Sequence, residues 1–310
     1  MFNIVFMGTP EFAVPALQAL YDHQYPILQV VTQPDRPKGR GRKPISPPVK
    51  QKAEALGYSV MQPDSIKADD VYEALFKLKP DLFVVVAFGH ILTKRLLLLP
   101  RIGAINIHAS LLPKYRGPAP IHRAIIAGET QTGITTMMMN DGLDTGDILM
   151  SESLAIHADD SAASLHDRLS EMGAMLLIKT LQGLASNTII PIAQNHAEAT
   201  YAPLLKKEEG RINWYLSASE LERFIRGMKP WPGAYTFYGD KRIKIFKAAV
   251  ISENSNTTPG TVIKGFPDEL RVATAEGVLS IIELQGESGK RLSIKDFLRG
   301  CAIAPGATFN

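Results

Sequence analysis

Asn106 and His108 stand two residues apart in IGAINIHASLLPKYRGPAP (102–120), a stretch that opens as a strand. Period-two geometry puts both side chains on one face. A carboxamide and an imidazole at the C-terminal end of a central strand lie where open α/β folds place active sites. The residue types alone allow either a catalytic pair or a satisfied structural one. Farther on, TGITTMMMNDGLDTGDIL (132–149) reads as a strand, a Gly-rich turn bearing Asp141 and Asp144, and a second strand. A turn aspartate by itself is more often structural, because Asp-Gly and Thr-Gly turns favour it. Asp141, Asp144 and Asp147 cluster without further hard ligands at suitable spacing, so no metal is expected.

Other chemistries drop out. Gly8 is followed by TPEF, so the first βα turn lacks the GxGxxG of a dinucleotide site. GRG at 39–41 leads into RKP and not into the GK[ST] of a phosphate loop. The sequence holds no GxSxG elbow, no HExxH and no CxxC. Cys301 is the single cysteine, which excludes an intrachain disulfide and a zinc site needing two or more thiolates.

The elements that must hold these residues come in βαβα order. A short apolar strand over 3–7 ends at Gly8, and Thr9 is expected to cap a helix with Pro10 at its first position and Glu11 in its first turn. A strand at 27–32 precedes a basic loop, and a helix near 49–56 follows it. A strand at 58–61, a helix at 69–78 and the strand DLFVVVAF (81–88) come next. An unbroken apolar run of that kind suits the centre of a parallel sheet covered on both faces. The order predicts a doubly wound, mostly parallel α/β domain. After about residue 184 the texture changes. The stretch 186–210 is polar, broken by Pro191 and Pro203, and reads as a linker. A helix is expected over 218–228, then short strands at 234–238, 242–251, 260–265, 269–274 and 277–284, which suggest a small OB-like barrel.

At 310 residues and 33.9 kDa, two domains are expected. Hydrophobic residues make up 45% and charged residues 21%, which suits packed cores and argues against disorder. The longest apolar run, 82–88, is far short of the ~18 residues of a membrane span, and the N-terminus lacks a positive n-region, so neither membrane nor signal peptide is expected. Residues 1–189 hold 18 Lys+Arg and 18 Asp+Glu, so the whole net charge of +3 lies in the C-terminal third. Inside the balanced part, PDRPKGRGRKP (34–44) carries Arg36, Lys38, Arg40, Arg42 and Lys43 against Asp35 alone. Such a Gly/Pro-rich loop is either a phosphate-contacting arm or a solvated surface loop.

NIHASLLP at 106–113, with LDTGD about 35 residues later, resembles the signature of the folate-dependent formyltransferases. In that family an Asn, a His and an Asp form the catalytic set, which the resemblance carries onto Asn106, His108 and Asp144. MGTPEFAVPALQAL, QPDRPKGRGRK, SLLPKYRGPAPI, KKEEGRINW and PWPGAY extend the likeness over nearly all of the chain, toward the members that act on initiator methionyl-tRNA. The resemblance implies a Rossmann-like formyltransferase domain at 1–189, a linker at 190–208 and an OB-like tRNA-binding domain at 209–310. It implies transfer of the formyl group from 10-formyltetrahydrofolate to the free α-amine of initiator methionyl-tRNA. A formyltransferase or formyl hydrolase acting on a small molecule such as a sugar nucleotide is the alternative. By the same resemblance, folate contacts fall on Phe88, His90, Ile91, Leu92, Asn140 and on Ser110, Leu111, Leu112 and Pro113. Contacts to tRNA fall on Arg36, Lys38, Arg40, Arg42 and Lys43 within the loop 34–48, and on Lys206 and Lys207. The implied protein is a cytoplasmic monomer that needs no metal. Acyl transfer to an amine requires a donor to the developing oxyanion and a proton relay, with no covalent enzyme intermediate.

Overall fold

Leu82–Val86 is buried at every position and forms the middle strand of a seven-stranded sheet. The computed structural model describes residues 1–38, 43–253, 255–287 and 289–310. In chain order the elements up to residue 185 are β1 (Ile4–Gly8), α1 (Val14–Asp22), β2 (Ile27–Val31), the small pair β3 (Arg36–Lys38) and β4 (Lys43–Ile45), α2 (Pro48–Ala55), β5 (Val60–Met61), α3 (Asp69–Lys77), β6 (Leu82–Val86), α4 (Lys94–Leu97), β7 (Gly103–His108), α5 (Pro120–Ala127), β8 (Gln131–Met138), β9 (Ile148–Ala155) and α6 (Ala162–Ala185). The strand order is β5-β2-β1-β6-β7-β8-β9. The first five are parallel, with the order reversing where β1 meets β6, and β8 and β9 close that edge antiparallel. This is the doubly wound, mostly parallel sheet expected from the sequence.

Two details differ from the expectations. Thr9 does not cap a helix: its hydroxyl donates to the Phe88 carbonyl at 2.9 Å, and the chain enters α1 through a 3-10 turn at Glu11–Ala13 that has no side-chain cap. At the end of β1 that hydroxyl meets the chain leaving β6, which outcompetes the local amides. The stretch read as a linker is also stitched into place. Ile192 exchanges backbone hydrogen bonds with Ile148, and residues 200–202 exchange them with Arg116 and Ala119.

Contacts divide the chain into two units: residues 1–120, 131–155 and 166–202, and residues 121–130, 156–165 and 203–310. In the second unit α7 (Ala218–Gly227) starts on a capping box between Ser217 and Glu220. The strands β10 (Ala234–Tyr238), β11 (Lys241–Ile251), β12 (Val262–Lys264), β13 (Arg271–Ala273), β14 (Val278–Gln285) and β15 (Leu292–Ser293) are antiparallel, in the order β10-β11-β14-β13-β12 with β15 on β14; α8 (Ile294–Gly300) follows. The final residues join the two outer strands. Asn310 exchanges both backbone hydrogen bonds with Phe237 of β10, while Ala307 and Phe309 bond Val262 and Gly260. Trp214 donates to Thr236 Oγ1 at 3.0 Å, and that hydroxyl donates to the Asn310 carbonyl at 3.1 Å. The sheet thus closes through its own tail.

Among the described residues no helix is long and apolar enough to cross a membrane, and no group of three or more His, Cys, Asp or Glu is arranged to hold a metal.

Candidate active site

β7 presents two unlike faces. α6 crosses at Gly173 over Ile107 and Ile134, which belong to the covered side. Asn106 and His108 alternate onto the other face. Asn106 is half-buried, and among the described residues no hydrogen bond commits its carboxamide. His108 is 6% exposed, and its Nε2 lies 2.9 Å from the Tyr115 carbonyl. A carbonyl only accepts, so Nε2 carries the hydrogen and Nδ1 is the nitrogen left to gain or lose a proton. That Nδ1 faces Asp144 Oδ2 at 3.6 Å, a charge contact too long for a direct hydrogen bond.

Bringing Asp144 there takes a special turn. β8 passes the level of His108 at Thr135 and leaves the sheet three residues later at Met138, opposite Ile105. Residues 139–147 must therefore double back. Asn140 Oδ1 shapes the turn, accepting from Gly142 N at 3.0 Å and from Thr145 Oγ1 at 2.8 Å. Asp144 itself sits in the left-handed region at φ 52°, which an aspartate tolerates better than most residues. Gly146 then passes so close to the end of β8 that a Cβ would lie 1.6 Å from the Met138 carbonyl oxygen. The carboxylate is pinned from the opposite side, with Gly117 N donating to Asp144 Oδ2 at 2.7 Å. Gly117 has φ +116°, and a Cβ there would meet the Ala202 carbonyl oxygen at 2.8 Å. Residues 115–117 therefore hold both partners: the Tyr115 carbonyl fixes the imidazole and the Gly117 amide fixes the carboxylate.

The other expected site residues fall into distinct settings. Phe88 and Leu92 are buried in the core cluster with Val85 and Leu96, so a ligand there would meet their backbone more than their side chains. Met139, at the start of the Asp144 turn, packs on the same cluster. His90 is half-buried, and its Nε2 has no partner among the described residues. Ile91 is 79% exposed. Ser110 spends its hydroxyl on the Lys114 carbonyl at 2.6 Å, and the Leu112 amide donates to Thr135 Oγ1 at 3.1 Å. Leu111 packs against β8 at Gly133, and Pro113 is half-buried. This SLLP segment shapes the loop by internal bonds. Asn140 is exposed and serves the turn just described.

Of the expected RNA contacts, Arg40 and Arg42 lie outside the described residues, together with Gly39 and Gly41. The flanks pair as the β3/β4 hairpin, where Lys38 stands opposite Lys43 and Arg36, exposed, stands opposite Ile45. Asp35 anchors its base, accepting from Gln62 Nε2 at 2.7 Å, Lys50 Nζ at 2.9 Å and Ser46 Oγ at 3.0 Å. Those bonds, that of Gln62 foremost, hold the Asp35 carboxyl below the ordinary carboxylate range. Lys206 and Lys207 are exposed at the start of a 3-10 turn.

A cavity of about 670 Å³ lined by Tyr21, Asp22, Tyr25, Ile27 and Tyr58 opens at the start of β2, the opposite end of the sheet from His108, and its lining includes no histidine and none of the expected site residues. The chemistry is not there. Sequence reasoning missed the Tyr115 carbonyl and the Gly117 amide. The glycine of KYRG signalled a turn, but a backbone group carries no mark of what it will bond.

A family model described as formyl transferase matches residues 2–181, and one described as formyl transferase, C-terminal domain, matches 204–302. Over 305 residues the chain is 50% identical to the methionyl-tRNA formyltransferase of Caldanaerobacter subterraneus subsp. tengcongensis, covering 98% of each. The fold is similar to that of an N-formyltransferase from Helicobacter canadensis in complex with folinic acid and dTDP-3-aminofucose, with TM-score 0.70 and 19% identity over 94% of this chain and all of that one. It is also similar to HypX from Aquifex aeolicus in complex with tetrahydrofolic acid, with TM-score 0.62 and 18% identity over 96% of this chain, which spans 47% of that one.

Proposed function

The chain belongs to the formyl transferase family, and we propose that it transfers the formyl group of 10-formyltetrahydrofolate to the free α-amine of initiator methionyl-tRNA. The observation that carries the choice of acceptor is the 50% identity to a methionyl-tRNA formyltransferase, held across 98% of both chains. The residues around the site suit a folate donor. His90 Nε2 is a buried ring nitrogen without a partner among the described residues, and Ile91 and Leu143 expose apolar surface. A heteroaromatic ring with polar edges matches that combination.

10-Formyltetrahydrofolate supplies the formyl carbon; the chain supplies the electrostatics and the proton path. With Nε2–H committed to Tyr115, a protonated Nδ1 of His108 donates to the formyl oxygen as negative charge builds there. The uncommitted Asn106 carboxamide adds a second donor from the same face of β7. Asp144 accepts the proton released by the attacking amine, directly or through a water, and passes it to the leaving nitrogen. The Gly117 amide keeps that carboxylate in register with the imidazole. Arg36, Lys206 and Lys207 are exposed cations suited to RNA phosphates, and Lys38, Arg40, Arg42 and Lys43 extend the same charge along the basic loop.

The test offers 10-formyltetrahydrofolate with methionylated initiator tRNA, methionylated elongator tRNA or a dTDP-amino sugar in parallel. The initiator is expected to give the highest kcat/KM. Formylation of the amino sugar with none of either tRNA overturns the choice of acceptor.

A further inference from the structure

Arg116 is 1% exposed, and no carboxylate pairs with it among the described residues. A buried guanidinium in that state is costly unless its donors find strong acceptors. Its Nε and Nη2 both donate to Gln194 Oε1, at 3.0 and 2.7 Å, and its Nη1 lies 3.2 Å from His196 Nδ1. Gln194, 6% exposed, uses its other end equally fully. Its Nε2 donates to the Asp144 carbonyl at 2.9 Å and to the Gly146 carbonyl at 2.7 Å.

Carboxamides usually leave open which end is oxygen. Here chemistry fixes it from both sides. A guanidinium offers donors only and must face Oε1, while two backbone carbonyls accept only and must face Nε2. The carbonyls so held belong to Asp144, whose backbone is left-handed, and to Gly146, wedged against Met138. Arg116 is in turn fixed along its backbone, with its N–H on the Thr200 carbonyl at 2.8 Å and its carbonyl taking the Ala202 N–H at 2.7 Å. The next residue, Gly117, holds the Asp144 carboxylate.

We propose that Gln194 is a positioning residue for formyl transfer, its carboxamide oriented by the buried Arg116 so that it holds the backbone of Asp144 while Gly117 holds the carboxylate. The segment carrying Gln194, polar and Pro-broken in sequence, is then part of the catalytic scaffold. The inference rests on the proposed role of Asp144 in proton transfer.

Gln194→Glu separates positioning from bulk structure. It keeps the volume and gives Arg116 a full counter-charge, yet it replaces the NH2 group and its two N–H donors with one oxygen facing two carbonyls. The expected result is a folded enzyme with kcat lowered about 10- to 100-fold, because misplacing a reacting group by an ångström costs about that much. KM for donor and for methionyl-tRNA should stay within about threefold. In an Asp144→Asn background the same change should cost less than about threefold in single-turnover rate, since both act through one group. Gln194→Met, which removes both ends, should behave likewise and serves if Gln194→Glu does not fold. Wild-type kcat in either folded variant overturns the inference, as does an undiminished further loss in the Asp144→Asn background. If Asp144→Asn alone keeps wild-type turnover, the reading of the site fails first and this inference falls with it. If Asp144→Asn is inactive while the Gln194 variants run at wild-type rate, only the positioning role is lost.

Discussion

His108 and Asn106 differ in how far the protein commits them, and that difference sets what their removal should do. The imidazole is buried and tied through Nε2, whereas the carboxamide is half-buried and uncommitted. Replacing His108 with Ala should lower kcat by about 10²–10⁴, the usual loss for one acid–base or oxyanion group. It should also remove the imidazole's bond to the Tyr115 carbonyl and lower Tm. Asn106→Ala should give a comparable kcat loss with little change in Tm, read by steady-state kinetics beside thermal unfolding. Equal Tm losses in the two variants would contradict the assignment of their roles. The shared face of Asn106 and His108 was legible in their two-residue spacing. The approach of Asp144 was not, because it depends on where antiparallel β8 leaves the sheet and on amide and carbonyl groups of residues 115–117.

The β3/β4 hairpin shows how an element carries a charge-dependent anchor. Asp35 gathers Gln62, Lys50 and Ser46 at its base, and its carboxyl is held below the ordinary range. A depressed folded value means that the contribution is complete above the unfolded value of about 4 and is lost as pH falls through the folded value. Asp35→Asn should therefore lower Tm near neutral pH, and the gap from wild type should shrink as pH drops from about 5 to about 3. A gap that stays constant across that range would remove the anchor role. Most strands and helices were readable from apolar runs and turn residues, with the buried Leu82–Val86 the plainest case. α6 was not among the expected elements, although Leu165, Leu169, Leu176 and Leu177 follow helical spacing. Its Ala-, Gly- and Met-containing middle blurs the apolar stripe. The 190–202 stretch looked like a linker because its order comes from long-range bonds to Ile148 and Arg116, which leave no local period.

For the whole molecule, barrel closure and charge are the features to test. In the second unit residues 307–310 help close the antiparallel sheet, bonding to Phe237, Gly260 and Val262. Deleting them should lower Tm and shift Trp214 emission to the red, since Trp214 stacks on Phe309 at 5.9 Å and is 3% exposed. An unchanged emission spectrum would mean that closure holds without the tail. The positive excess lies in the C-terminal third, so Lys206→Ala and Lys207→Ala should each flatten the salt dependence of methionyl-tRNA binding by about 0.7–0.9 in log–log slope. Slopes equal to wild type would place the RNA elsewhere. The most direct measurement is single-turnover formyl transfer from 10-formyltetrahydrofolate to initiator methionyl-tRNA, with wild type and Asp144→Asn each in excess over the tRNA. The expected result is rapid formylation by wild type and a rate constant about 10²–10⁴ lower in the variant, with methionyl-tRNA bound equally by both. Formylation by Asp144→Asn at the wild-type rate, or none by wild type, would contradict the chemistry assigned to Asn106, His108 and Asp144.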